Sequence, residues 1–192
     1  MRLTPTIQSV CALFRKLERE NYRVLHARNA LHRADHFMNF CITAHSMQDH
    51  LLEYLGVVVA GGEEAFRKRW HLVPTVQATA DIANETKHFI LRHRRTKKPK
   101  DVQTKGVRRG RSEYVDIYEA NDGSCYTNLV SIPDYFVRLS DGSKHDLHSF
   151  MKAVLEFWRH ELACKGLKVR KQTFKSLSGY ANNAKPSVHK KA

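Results

Sequence analysis

The chain holds twelve histidines, and those with chemical potential share a helix face with other polar groups. Taking 100° per residue about Cys41, His45 lies about 40° from the centre of an apolar stripe and Gln48 about 20° from it, while His50 points to the opposite side. Polar groups on a buried face must be hydrogen-bonded or line a cavity, and a satisfied core histidine is the commoner outcome. A second constellation is Asp81, Asn84 and His88, spaced i, i+3, i+7 on one flank beside the apolar residues Ile82 and Phe89. If that helix packs antiparallel to the one carrying His45, the two polar sets face each other with Asp49 nearby. Such a set, Asn84 included, could hold a water or a scissile phosphate, with His88 as general acid or base, Asp81 orienting it, and His45 or Arg28 assisting. The same residues would equally make a polar seam between helices, and both readings stay open.

Other chemistries lack their devices. No GxxxxGK[ST] or GxGxxG loop cradles a nucleotide, and no serine or cysteine nucleophile sits in a recognisable elbow. No histidines stand as HExxH, and His88 with His93 at i+5 is awkward for one ion, so neither metal nor cofactor is expected. His145 and His148 are expected to open the last helix and face water. Cys11, Cys41, Cys125 and Cys164 form no CxxC pair and read as reduced thiols, with Cys11, Cys41 and Cys164 among apolar residues. Without a secretory-type leader or an apolar run near the roughly 20 residues a bilayer needs, the chain is expected to be cytoplasmic and not membrane-bound.

Charge supplies the strongest functional signal. The formal net charge is +14. From Arg92 to Arg111 ten Lys/Arg face one acid, and from Lys165 onward eight face none, so these segments carry +17 and the rest nets to −3. Charge held in blocks steers polyanions and releases counterions on contact. Arg92, Arg94, Arg95, Lys97, Lys98, Lys100, Lys105, Arg108, Arg109 and Arg111 are therefore candidate phosphate contacts. Tyr114 and Tyr118 follow on one strand face as candidate stacking surfaces, although strand aromatics more often pack across strands.

The elements that would position these groups follow from periodicity. Thr4-Pro5 signals a helix start, and Ile7, Val10, Cys11, Phe14 and Leu17 continue it to near Asn21 or on towards Leu31. Ala34, Phe37, Met38, Cys41, Ala44, Leu52 and Leu55 mark a long amphipathic helix stopping at Gly56. A short helix over Glu63–Trp70 is ended by Pro74, and Thr75 or Thr79 caps the next, which lasts to about Arg94. Alternation over 114–118, apolar residues from Tyr126 to Ile132, and Tyr135–Leu139 predict three antiparallel strands separated by Asn121-Asp122-Gly123 and Pro133. Leu147, Phe150, Met151, Val154, Leu155, Trp158 and Leu162 predict a closing helix stopped by Gly166.

Arg28-Asn29 followed by His32 and His36, together with the polar Asn84-to-His88 helix, resembles HEPN domains over residues 1–95. That helical superfamily includes metal-independent ribonucleases of bacterial defence and toxin systems. Arg28 is separated from His32 by three residues and from His36 by seven, and neither is the family's spacing. The resemblance implies a helical fold for this half.

The expected fold is α+β: a helical bundle over 1–95, a basic linker over 96–111, a β-meander plus helix over 112–166 packed on the bundle, and a flexible basic tail over 167–192. The expected function is binding of RNA or DNA. Alternatives are a metal-independent ribonuclease and a module that clamps an acidic protein partner, and a homodimer is compatible with each.

Overall fold

The computed structural model describes residues 9–57, 62–85, 104–120 and 122–170. The fold is mixed helix and sheet, as the periodicities imply, with several element ends elsewhere than expected.

Helix α1 spans Val10–His26. It starts later than Pro5 because Ser9 is extended and its hydroxyl accepts from the Ala12 N–H, which sets the first turn. Thr4-Pro5 itself lies outside the described residues. The chain breaks at Ala27–Asn29, and Asn29 accepts from the Leu31 N–H to cap α2, Ala30–Tyr54. This helix ends where expected, at Gly56, whose φ of +66° suits a residue without Cβ. Helix α3 is Glu63–His71. Pro74 does not merely end it: proline occupies the first position of α4, Pro74–Glu85, where a missing N–H costs nothing. Thr75 and Thr79 are consequently not caps but buried helical residues, and the Thr79 hydroxyl bonds the Thr75 carbonyl.

Among the described residues the sheet is three-stranded and antiparallel, in the order β1-β2-β3, but its strands differ from the expected meander. Strand β1 runs from Thr104 to Glu119 and β2 from Cys125 to Leu139, joined as a long antiparallel hairpin. Residues 104–111, expected as linker, are thus the first half of a strand. The two segments expected on either side of Pro133 are one strand. Beyond Arg138 and Phe136, β3 does not reach along β2, so at Pro133 the outer side of β2 is an edge where an outward-pointing missing N–H costs no ladder bond. Strand β3 is the short Lys144–Asp146, which contains His145. His145 therefore precedes the last helix and is half-buried near the Ser143 hydroxyl, whereas His148 is exposed on the helix as expected.

Helix α5, Leu147–Cys164, is capped by Asp146. It stops at Gly166, φ +73°, with the Leu167 N–H bonded back to the Leu162 carbonyl. Leu167 and Val169 pack on the core, so the chain does not become a free tail at 167. Residues 171–192 lie outside the described residues.

One buried cluster joins five elements: Leu13, Phe14 and Leu17 from α1; Phe37, Phe40, Met47 and Leu51 from α2; Ala78 and Ile82 from α4; Val137 and Leu139 from β2; Phe150, Val154 and Trp158 from α5. Trp70 of α3 enters it edge-on to Trp158 at 5.4 Å. Its indole N–H donates to Glu161, which also receives Arg69 at 2.6 Å. Buried charges fasten the periphery. Arg159 reaches Glu18 at 2.7 Å, tying α5 to α1, and Lys16 donates to Thr43 across α1 and α2. Burial pulls the Lys16 ammonium pKa below its ordinary value. Among the described residues no helix is long and apolar enough to cross a membrane.

Candidate nucleic-acid interface

The hairpin is held to the helices by a buried ion pair. Arg33 of α2 lies 3.2 Å from Asp134 of β2, their side chains 5% and 3% exposed. Arg33 also donates to the Ala27 carbonyl, while Asp134 accepts from the Ser112 hydroxyl and the Tyr135 N–H. The pair fixes where the base of the hairpin sits on the bundle.

On that base, register gathers cations. Arg108 is opposite Phe136, and Gly106 is opposite Arg138. The turn at 140–143 then brings β3 back so that Lys144 faces Arg138. That turn is set by Gly142 at φ +89° and by Asp141, which accepts from the Ser143 N–H. Like charges directly opposite on adjacent strands repel, so the Arg138–Lys144 pair costs the free sheet stability. An anion between them would turn that repulsion into attraction.

Arg108, Arg109, Gly110, Phe136, Arg138 and Lys144 line a shallow depression of about 180 Å³. Gly110 is required for its shape, because a Cβ there would collide with the Phe136 ring. The ring lies across the glycine, and the Lys144 ammonium sits 3.8 Å from its centroid. Arg108, Arg109, Arg138 and Lys144 have no ion-pair partner among the described residues. Further along β1, on the opposite strand face, Arg111 holds its guanidinium against the Ser131 hydroxyl and carbonyl at 2.8 and 2.9 Å. Such a set can bind phosphate through forked guanidinium donors while an aromatic edge and aliphatic stems contact a sugar or base.

Of the expected phosphate contacts, Lys105, Arg108, Arg109 and Arg111 are thus on one strand, exposed. Arg92, Arg94, Arg95, Lys97, Lys98 and Lys100 lie outside the described residues. Tyr114 and Tyr118 are in β1, paired with Val130 and Tyr126. Phe136, Arg138 and Lys144 were not foreseen. The usable signal is a pair of cations flanking the Asp141-Gly142 turn, which a tight antiparallel return about that turn sets opposite each other.

The expected catalytic set is only partly assembled. His88 lies outside the described residues. Asp81 is not at a cleft edge: it is 1% exposed and accepts from Gln77 at 2.8 Å. The whole of α4 from Thr75 to Ala83 is buried, because the helix is covered on several sides, and the flank that looked polar from spacing is interior. Asn84 and His45 are half-buried, and Arg28 is exposed between α1 and α2. Gln48, buried as its stripe position implies, lies 3.4 Å from His71 and 3.3 Å from Arg67. Arg67 draws Asp49 to α3 at 2.7 Å. Among the described residues a carboxylate and an imidazole also approach at Glu20 and His36, 3.7 Å apart and beyond hydrogen-bond reach, where Arg23 grips the buried Glu20. Among the described residues no three His, Cys, Asp or Glu side chains converge as a metal site requires. The thiols split by burial: Cys41 is fully enclosed, which pushes its pKa up, while Cys125 and, contrary to its apolar surroundings in sequence, Cys164 are exposed.

No protein-family model matches this chain, and searches of curated proteins and of solved structures find no significant match.

Proposed function

We propose that the protein binds nucleic acid through the cationic base of its hairpin. The observation that carries this reading is the cluster of Arg108, Arg138 and Lys144 around Phe136, with Arg109 also lining the depression and the like charges Arg138 and Lys144 held opposite each other. Three features support it. The cluster combines guanidinium forks with an aromatic ring, a combination suited to phosphate and sugar-base contact. It continues from the most basic stretch of the sequence, Arg92 to Lys105. It lacks carboxylate partners among the described residues, so binding phosphate breaks no existing bridge. The test is titration of labelled single-stranded RNA, single-stranded DNA and duplex at low ionic strength. Saturable binding of at least one, weakened steeply by salt, is expected. Absence of binding to all three overturns the reading.

A second reading, a metal-independent ribonuclease, is favoured by the Glu20–His36 pair, a half-exposed imidazole beside a buried carboxylate. It also retains His88 from the sequence. Cleavage of RNA in EDTA, lost in His36→Ala or His88→Ala, would support it; activity unchanged in both variants would remove it.

A further inference from the structure

Beyond its base, the hairpin changes character. Residues 112–132 contain Glu113, Asp116, Glu119 and Asp122 and no Lys or Arg, so this half repels the phosphates that the base would attract. It also exposes apolar side chains: Val115 is 59%, Ile117 70% and Leu129 63% exposed. Val115 is directly opposite Leu129, which places both on one face, and Ile117 two residues on shares it. Exposed apolar residues on a ribbon are an aggregation hazard unless something covers them.

Charge along the same face indicates what covers it. Alternation from Val115 puts Arg111, Glu113 and Glu119 on this face, and the bond from Arg111 to Ser131 agrees, since Ser131 pairs with Glu113. Arg111 and Glu119 are equidistant from Val115 along the strand. A two-fold axis through the Val115–Leu129 pair therefore sets Arg111 of each copy opposite Glu119 of the other, with Val115 and Leu129 on the axis and Glu113 of each copy beside Ile117 of the other. Such a face is self-complementary, which is the requirement of an isologous interface.

We propose that this protein pairs with a second copy of itself through the hairpins, packed face to face and antiparallel about Val115 and Leu129, with two reciprocal Arg111–Glu119 contacts.

Sedimentation velocity on the full chain, freed of nucleic acid as judged by its absorbance ratio, tests this. The wild type is expected to show a concentration-dependent monomer–dimer equilibrium. Leu129→Asp is expected to be monomeric with an unchanged circular dichroism spectrum, because the side chain is exposed. Arg111→Glu and Glu119→Arg are each expected to be monomeric, since each places like charges together twice. An equimolar mixture of these two variants should dimerise again, because the heterodimer restores both opposite-charge contacts. A mere structural role for either residue gives no such rescue. A monomeric wild type, single variants that dimerise like it, or a mixture as monomeric as its components would overturn the proposal.

Discussion

Replacing Asp134 by alanine leaves the Arg33 guanidinium inside the protein without the carboxylate that neutralises it. Both side chains are almost inaccessible, 5% and 3% exposed, and Asp134 additionally accepts from Ser112 and the Tyr135 N–H. Breaking a buried pair from one side costs about 3–5 kcal/mol, a large part of the roughly 5–15 kcal/mol that holds a domain together. Removing both charges is much cheaper, because desolvation of the ions disappears with their attraction. Arg33→Met/Asp134→Ala should therefore be more stable than Asp134→Ala alone, with a coupling of up to about 3 kcal/mol. Urea denaturation followed by far-ultraviolet circular dichroism, completed as a double-mutant cycle, measures this. A loss below about 1 kcal/mol for Asp134→Ala, the size of an exposed pair, would refute the reasoning.

Three further outcomes follow from local geometry. Gly110→Ala would drive its Cβ into the Phe136 ring and should cost about 1–3 kcal/mol in thermal or urea unfolding, a penalty that Phe136→Ala in the same chain should relieve. Asp146→Ala removes the cap of α5 and should cost about 1 kcal/mol at neutral pH. Burial acts to raise the Asp146 pKa, but the Ser149 N–H and hydroxyl outweigh it and the net shift is downward. The carboxylate's contribution is therefore complete above its unfolded value and fades as pH falls through the lower folded value, so the difference between mutant and wild type should shrink in acid. In thiol titration of the native protein, Cys125 and Cys164 should react readily, while Cys41, enclosed and held as the neutral thiol, should react only at the rate of unfolding.

Periodicity is a sound guide where a helix has one wet and one dry side, as α1, α2 and α5 do. It fails for α4, because a helix covered on several sides buries Asp81, Gln77 and Thr79 as well as Ile82. Helix starts are ambiguous in sequence where two capping signals lie close together: Thr4-Pro5 and Ser9 both read as caps, and Ser9 is the one whose hydroxyl accepts from the Ala12 N–H at the start of α1. Strand β1 looked like linker because Lys105, Arg108, Arg109 and Arg111 have little intrinsic strand preference, and it forms because β2 offers a partner along its length. Burial of Arg33, Glu18 and Glu20 is invisible to any rule that puts charge outside. The cationic depression is legible in part: Arg108 and Arg109 belong to the basic block, but Arg138 and Lys144 join them only through strand register.

Fluorescence anisotropy of labelled single-stranded RNA across a salt series, comparing wild type with Arg108→Gln/Arg138→Gln/Lys144→Gln, bears most directly on the central claim. Each phosphate neutralised contributes about 0.7 to the slope of log affinity against log salt on a single strand. If all three cations contact phosphate, the variant should bind more weakly at low salt, with a slope shallower by about 2. Coincident lines for the two proteins would contradict placement of the interface at the hairpin base.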